Sequence, residues 1–139
     1  MFIKGSWLKS VLLLIYGSFL IALSVFKTNE ILLPYIYQFE AYLGGDKFMH
    51  LKLSAVLSFL ALLALIPGRQ EALKLVVHCL GICFLLTLGL AFDEFHQMLI
   101  STRRFEWLDF IYGAVGIGIG FVAYLFIPLL RFTKNTLFK

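Results

Sequence analysis

The sequence predicts an all-α membrane protein, a four-transmembrane-helix bundle with a short interfacial helix in its first outer loop. Three observations predict it. The chain is 61% hydrophobic and only 14% charged, with a mean hydropathy of +0.94. Four apolar runs each reach about 18–21 residues, enough to cross a hydrocarbon core roughly 30 Å thick. The polar residues gather in two clusters beside those runs. With 139 residues there is room for one bundle over 1–139 and for no separate soluble domain.

The first helix is expected over about 7–26. Lys4 and Lys9 give it a basic start, but no small-residue cleavage site follows, so it reads as a retained helix. In the loop after it, Pro34 opens the run Tyr35-Ile-Tyr-Gln-Phe-Glu-Ala-Tyr42-Leu, and Gly44-Gly45 closes it. Proline at the start and glycine at the stop predict a short helix. Its tyrosines suit the headgroup zone, where it would form a lip over a pocket. The second membrane helix is expected over about 48–66, with Pro67-Gly68 as a tight turn. The third covers about 72–99 and the fourth about 109–130. Backbone groups in lipid must be satisfied within the segment, which makes each span a helix.

Lysine and arginine counts give an orientation. An even number of spans places both termini on one side. That side carries seven positive residues against Glu71 alone, a sum of +6. The opposite side holds Lys27, Lys47, Lys52, Arg103 and Arg104 against seven acids, a sum of −2. The positive-inside rule then expects both termini in the cytoplasm and the polar clusters outside, with the chain in the bacterial cytoplasmic (inner) membrane. The net +4 reflects topology and does not indicate nucleic acid.

The denser cluster comprises Asp93, Glu94, His96, Gln97, Arg103, Arg104, Glu106 and Asp109. The smaller one is Asp46-Lys47-Phe48-Met49-His50. Ionisable residues against apolar spans are costly and mark a functional site by default. Counted from the cytoplasmic boundaries, Asp46, Asp93 and Asp109 fall 21, 19 and 22 residues along their helices, which predicts a common level. Asp46, His50, Ser54 and Ser58 recur every fourth residue. Asp93 and Gln97, and Glu94 and Gln97, share a helical face. Asp109, Gly113, Gly116 and Gly120 form another stripe. These faces predict an outward-opening polar pocket. Gly116 and Gly120 make a G-x-x-x-G, with Gly81 and Gly89 as expected partners for close helix packing inside the bundle.

The chain resembles the VanZ-like family of small bacterial membrane proteins over about residues 46–120. Asp46, Lys47 and His50 match its D-K-x-x-H. Asp93, Glu94 and Gln97 match its D-E-x-x-Q, followed by Arg103, Asp109 and Gly116. Gly113 stands where the family usually has asparagine, and Ser101-Thr102 where proline and glycine are common. The resemblance implies a cell-envelope role and a link to glycopeptide (teicoplanin) resistance, without an agreed biochemical activity.

Four chemistries are open to these residues. The first is a ligand-binding pocket of Asp46, Lys47, His50, Asp93, Glu94, Gln97, Arg103 and Asp109. It would take an anionic or zwitterionic lipid headgroup or cell-wall component, with Arg103 gripping phosphate bidentately, Lys47 adding a point charge and the aspartates orienting the cations. The second is a membrane-embedded hydrolase or transferase with His50 or His96 as base, oriented by Asp46 or Asp93. Asp46, His50, Asp93 and Glu94 are its candidate catalytic residues, although no serine or cysteine nucleophile motif accompanies them. The third is a metal site of His50, His96, Asp93 and Glu94, whose spacing resembles no standard zinc motif. No metal and no cofactor is therefore expected. The fourth is a proton-coupled transporter, for which four helices without a repeat make a thin scaffold.

Partners expected are membrane lipids and a lipid-linked or cell-wall ligand, with no nucleic acid; the oligomeric state is open. Each polar residue also has a plainer role. His96 pads a helix end, His78 is structural, Lys52 snorkels to headgroups, Trp7 and Trp107 anchor at the interface, and Cys79 and Cys83 pack. The whole cluster can equally serve as an ion-pair network that ties helix ends together.

Overall fold

In the computed structural model, five helices follow one another: α1 (Ile3–Thr28), α2 (Leu33–Leu43), α3 (Asp46–Leu65), α4 (Ala72–Met98) and α5 (Trp107–Leu137). The structure describes residues 3–66, 71–99 and 106–137, with side chains over 7–66, 71–99 and 106–127. All regular structure among them is helical, and α1, α3, α4 and α5 are long and apolar enough to cross a membrane. The chain is a multi-pass membrane protein by these four spans. The expected Pro67-Gly68 turn lies outside the described residues.

Hydropathy marked the apolar stretches, and the helices run beyond them. α1 continues to Thr28 and α5 to Leu137. Polar residues at a helix end cost a bilayer protein little, so hydrogen bonding continues where hydrophobicity stops. The residues joining α1 to α2 turn sharply, with positive φ at Glu30 and Leu32. α2 has Pro34 in its first turn and ends at Gly44, φ +100°. Gly45 follows at φ +101°, and its N–H donates to the Glu40 carbonyl over 2.7 Å. Two successive residues in this region require glycine. Ile36 and Glu40 turn inward and are buried, whereas Tyr35, Tyr37 and Tyr42 face outward.

α3 is the hub. It packs on α1, α2, α4 and above all α5. The α3–α5 contact is backbone to backbone: a Cβ built on Gly116 would lie 2.2 Å from the Leu51 carbonyl oxygen, and one on Gly120 would lie 2.3 Å from that of Ala55. The Ser58 hydroxyl, fully buried, donates to the Ile117 carbonyl over 2.9 Å. The glycine stripe thus does its packing within the bundle, but its partner is α3. Gly81 and Gly89, the expected partners on α4, have no neighbour within 4 Å of a built Cβ. Gly113 meets the Leu90 side chain of α4 instead. Away from the polar end, Leu62, Ile66, Cys79 and Tyr124 form a small core. Cys79 and Cys83 are free thiols, and Cys79 is fully buried there.

Candidate functional site

The end of α1, the start of α3, the end of α4 and the start of α5 meet at one end of the bundle, tied by polar side chains. Lys27 of α1 lies between two carboxylates. Its Nζ is 2.5 Å from Glu40 Oε1 and 2.8 Å from Asp46 Oδ1. Lys47 of α3 bridges to the start of α5, with Nζ 2.6 Å from Glu106 Oε2 and 3.1 Å from Asp109 Oδ1. On α4, Asp93 accepts from the Ser24 hydroxyl and from the Gln97 amide, each over 3.0 Å. The acids in the first turns of α3 and α5 also meet the positive ends of those helix dipoles.

Asp46 and Asp109, forecast at a common level, do come together: with His50, each offers a ligand atom within 4.8 Å of the others. Asp93 belongs instead to the α1–α4 contact. His50 Nε2 is 3.9 Å from Asp46 Oδ1, too long for a hydrogen bond and near enough for a charge on the ring to be felt. Asp46, His50 and Asp109 therefore replace the metal set of His50, His96, Asp93 and Glu94. Both carboxylates of the new set already hold a lysine, so any cation would compete with Lys27 and Lys47.

A cavity of about 320 Å³ opens beside this network between α1, α3 and α4. Its polar lining comes from Ser24, Lys27, His50, Ser54 and Asp93, and leucines dominate the remaining wall. Volume places it at the small end of ligand pockets. A lysine ammonium has three donors. Glu40 and Asp46 take two of those on Lys27, which leaves one for a ligand acceptor. Each Asp93 oxygen accepts one hydrogen bond and retains further lone-pair capacity.

Other candidate residues fall differently. Glu94 and Gln97 are buried on the inner face of α4, with Glu94 1% exposed. His96 is exposed, its ring stacks on Phe92, and it is not among the residues lining the cavity, whereas His50 is. The Lys52 ammonium donates to the Leu43 carbonyl over 2.8 Å and fastens the end of α2 to α3. Arg103 lies outside the described residues. The residues that sequence reasoning passed over are Ser24, Lys27 and Glu40. Lys27 and Glu40 are the charges nearest the ends of their helices, and that position was the available signal.

The chain matches no protein-family model, no curated protein and no solved structure.

Proposed function

We propose that the chain is a VanZ-like integral membrane protein of the bacterial cell envelope. In this reading both termini are cytoplasmic, in the inner membrane, and the polar end faces outward. There it binds the headgroup of a phosphate-bearing lipid or lipid-linked cell-wall component, and this would be its link to glycopeptide resistance. The observation that carries the reading is the cavity mouth, where the remaining Lys27 donor and the Asp93 carboxylate flank an apolar space. A zwitterionic headgroup suits that pair better than a purely anionic one. Lys27 and Asp93, of opposite sign, are the lysine and the acid that line the cavity. Lys27 would receive the phosphate and Asp93 an amine or hydroxyl. Arg103, whose planar guanidinium suits bidentate phosphate contacts, is the second phosphate ligand of this reading.

The test is phospholipid retention after extraction in mild detergent, quantified by mass spectrometry. Lys27→Ala is expected to lower retention about tenfold, the equivalent of one charge-assisted hydrogen bond. Retention at the wild-type level in both Lys27→Ala and Arg103→Lys would overturn the reading.

A second reading, a hydrolase or transferase acting on a lipid-linked envelope substrate, rests on His50. Its ring lines the cavity with Asp46 one helical turn away. A product from an envelope lipid that forms with the wild-type chain and disappears in His50→Gln would establish it, since a general base contributes about 10²–10⁴-fold to rate.

A further inference from the structure

The cavity has the same polarity gradient on the three helices that supply most of its lining. On α1, α3 and α4 the polar residues Lys27, His50 and Asp93 line the mouth, and on each helix a leucine seven residues away lines the deeper wall: Leu20, Leu57 and Leu86. Seven residues are two helical turns, about 10 Å. The agreement over three helices of both directions means that the cavity extends into the bundle along the helix axes and changes from polar to apolar on the way. Its side is equally specific. α1 and α4 both pack on α3 and make almost no contact with each other. The Ser24–Asp93 hydrogen bond joins them at the polar end, and Ile21 of α1 and Leu85 of α4, which line the cavity, are both well exposed. A void beside lipid forfeits the contacts of its lining, so a hydrocarbon chain is the occupant favoured by packing.

We infer that the cavity receives one hydrocarbon chain of a membrane lipid, entering sideways between α1 and α4, with the lipid's headgroup at Lys27, His50 and Asp93. The inference rests on the headgroup reading above and narrows it: the ligand is a lipid drawn from the bilayer, and a water-soluble cell-wall fragment is not. About 320 Å³ suits a single chain and is too little for two. Gly89 supplies the means of closing the site, since it lines the cavity and a Cβ built on it has open space. Phenylalanine there would fill the chain's place and leave the ion pairs intact.

The experiment is native mass spectrometry of the full-length chain with three probes: palmitoyl lysophosphatidylethanolamine, the same headgroup without a chain (glycerophosphoethanolamine), and hexadecanol. The lysolipid is expected to bind more than about tenfold tighter than the chainless headgroup, because burial of a few methylenes is enough for that ratio. Gly89→Phe is expected to abolish the preference. Gly81→Phe, the same change on α4 at another open position outside the cavity, is expected to keep it. Equal binding of lysolipid and chainless headgroup would overturn the chain site and leave the headgroup reading standing. Hexadecanol binding as well as the lysolipid would do the reverse. An undiminished preference in Gly89→Phe, with the protein folded, would place the chain elsewhere and overturn the inference, and no binding of any probe would overturn both.

Discussion

The Lys47 ammonium lies 3.1 Å from the Asp109 carboxylate, and this contact fastens the start of α3 to the start of α5. Asp109 is 6% exposed, so most of its hydration has been exchanged for this partner. Glu106, on the same lysine, is half exposed.

That difference predicts unequal mutants. Asp109→Ala is expected to lower the thermal stability of the detergent-solubilised chain by about 1–3 kcal/mol, the range for a hydrogen bond to a charged group. Glu106→Gln is expected to cost about 0–1 kcal/mol, as exposed ion pairs do. Circular dichroism melts of the two variants compare them directly, and equal losses would mean that Lys47 does not distinguish its two acids.

The glycine contact predicts a positional pattern along α5. Gly116→Ala and Gly120→Ala place a methyl within 2.2–2.3 Å of a backbone oxygen of α3, where no rotamer can relieve the clash. Each is expected to cost about 1–3 kcal/mol or more through overpacking. Gly118→Ala points into open space and is expected to be neutral or slightly stabilising. A melt of Gly116→Ala indistinguishable from wild type would refute the close α3–α5 approach.

Orientation is open to labelling. Tyr42 at the end of α2 and Lys74 at the start of α4 are both well exposed and lie at opposite ends of the bundle. In a background lacking Cys79 and Cys83, a cysteine at Tyr42 is expected to react with a membrane-impermeant maleimide on intact cells, and one at Lys74 only after lysis. The reverse order would invert the assignment drawn from the charge counts.

Headgroup choice should depend on Asp93. Asp93→Asn keeps an oxygen for the Ser24 hydroxyl but removes the negative charge. The ratio of ethanolamine-bearing to purely anionic lipid retained is expected to fall roughly fivefold, the equivalent of about 1 kcal/mol for one partly exposed charge contact. A ratio unchanged from wild type would remove Asp93 from headgroup recognition while leaving its structural bond to Ser24.

The spans were legible because length and hydropathy alone decide whether a segment crosses a bilayer, and α2 because proline and glycine bracket it. The nearness of Asp46 to Asp109 was also legible, since counting residues along a helix measures depth. Partner choice was not. A G-x-x-x-G states that some backbone comes close, and nothing in Gly116 or Gly120 says that it belongs to Leu51 and Ala55 and not to α4. The apolar run ends at Phe26, which leaves Lys27 to the loop, yet the helix continues and aims the ammonium at Glu40 and Asp46. Asp93 was grouped with the other aspartates by depth, but depth carries no azimuth, and its side of the bundle follows from how α1 and α4 flank α3.

The pairing of α3 with α5 has a consequence for synthesis. The two helices that fit most closely are separated in the chain by α4, and the residues of the Ser58–Ile117 hydrogen bond are 59 positions apart. At about 5–20 residues per second, Ser58 waits on the order of 3–12 s on the growing chain before its partner carbonyl has been made. During that interval the groove of α3 along Leu51, Ala55 and Ser58, which Gly116 and Gly120 fill in the finished fold, is without its cover. Nascent chains halted before α5 are therefore expected to present the groove that membrane quality control can recognise, and completion of α5 is the event that conceals it.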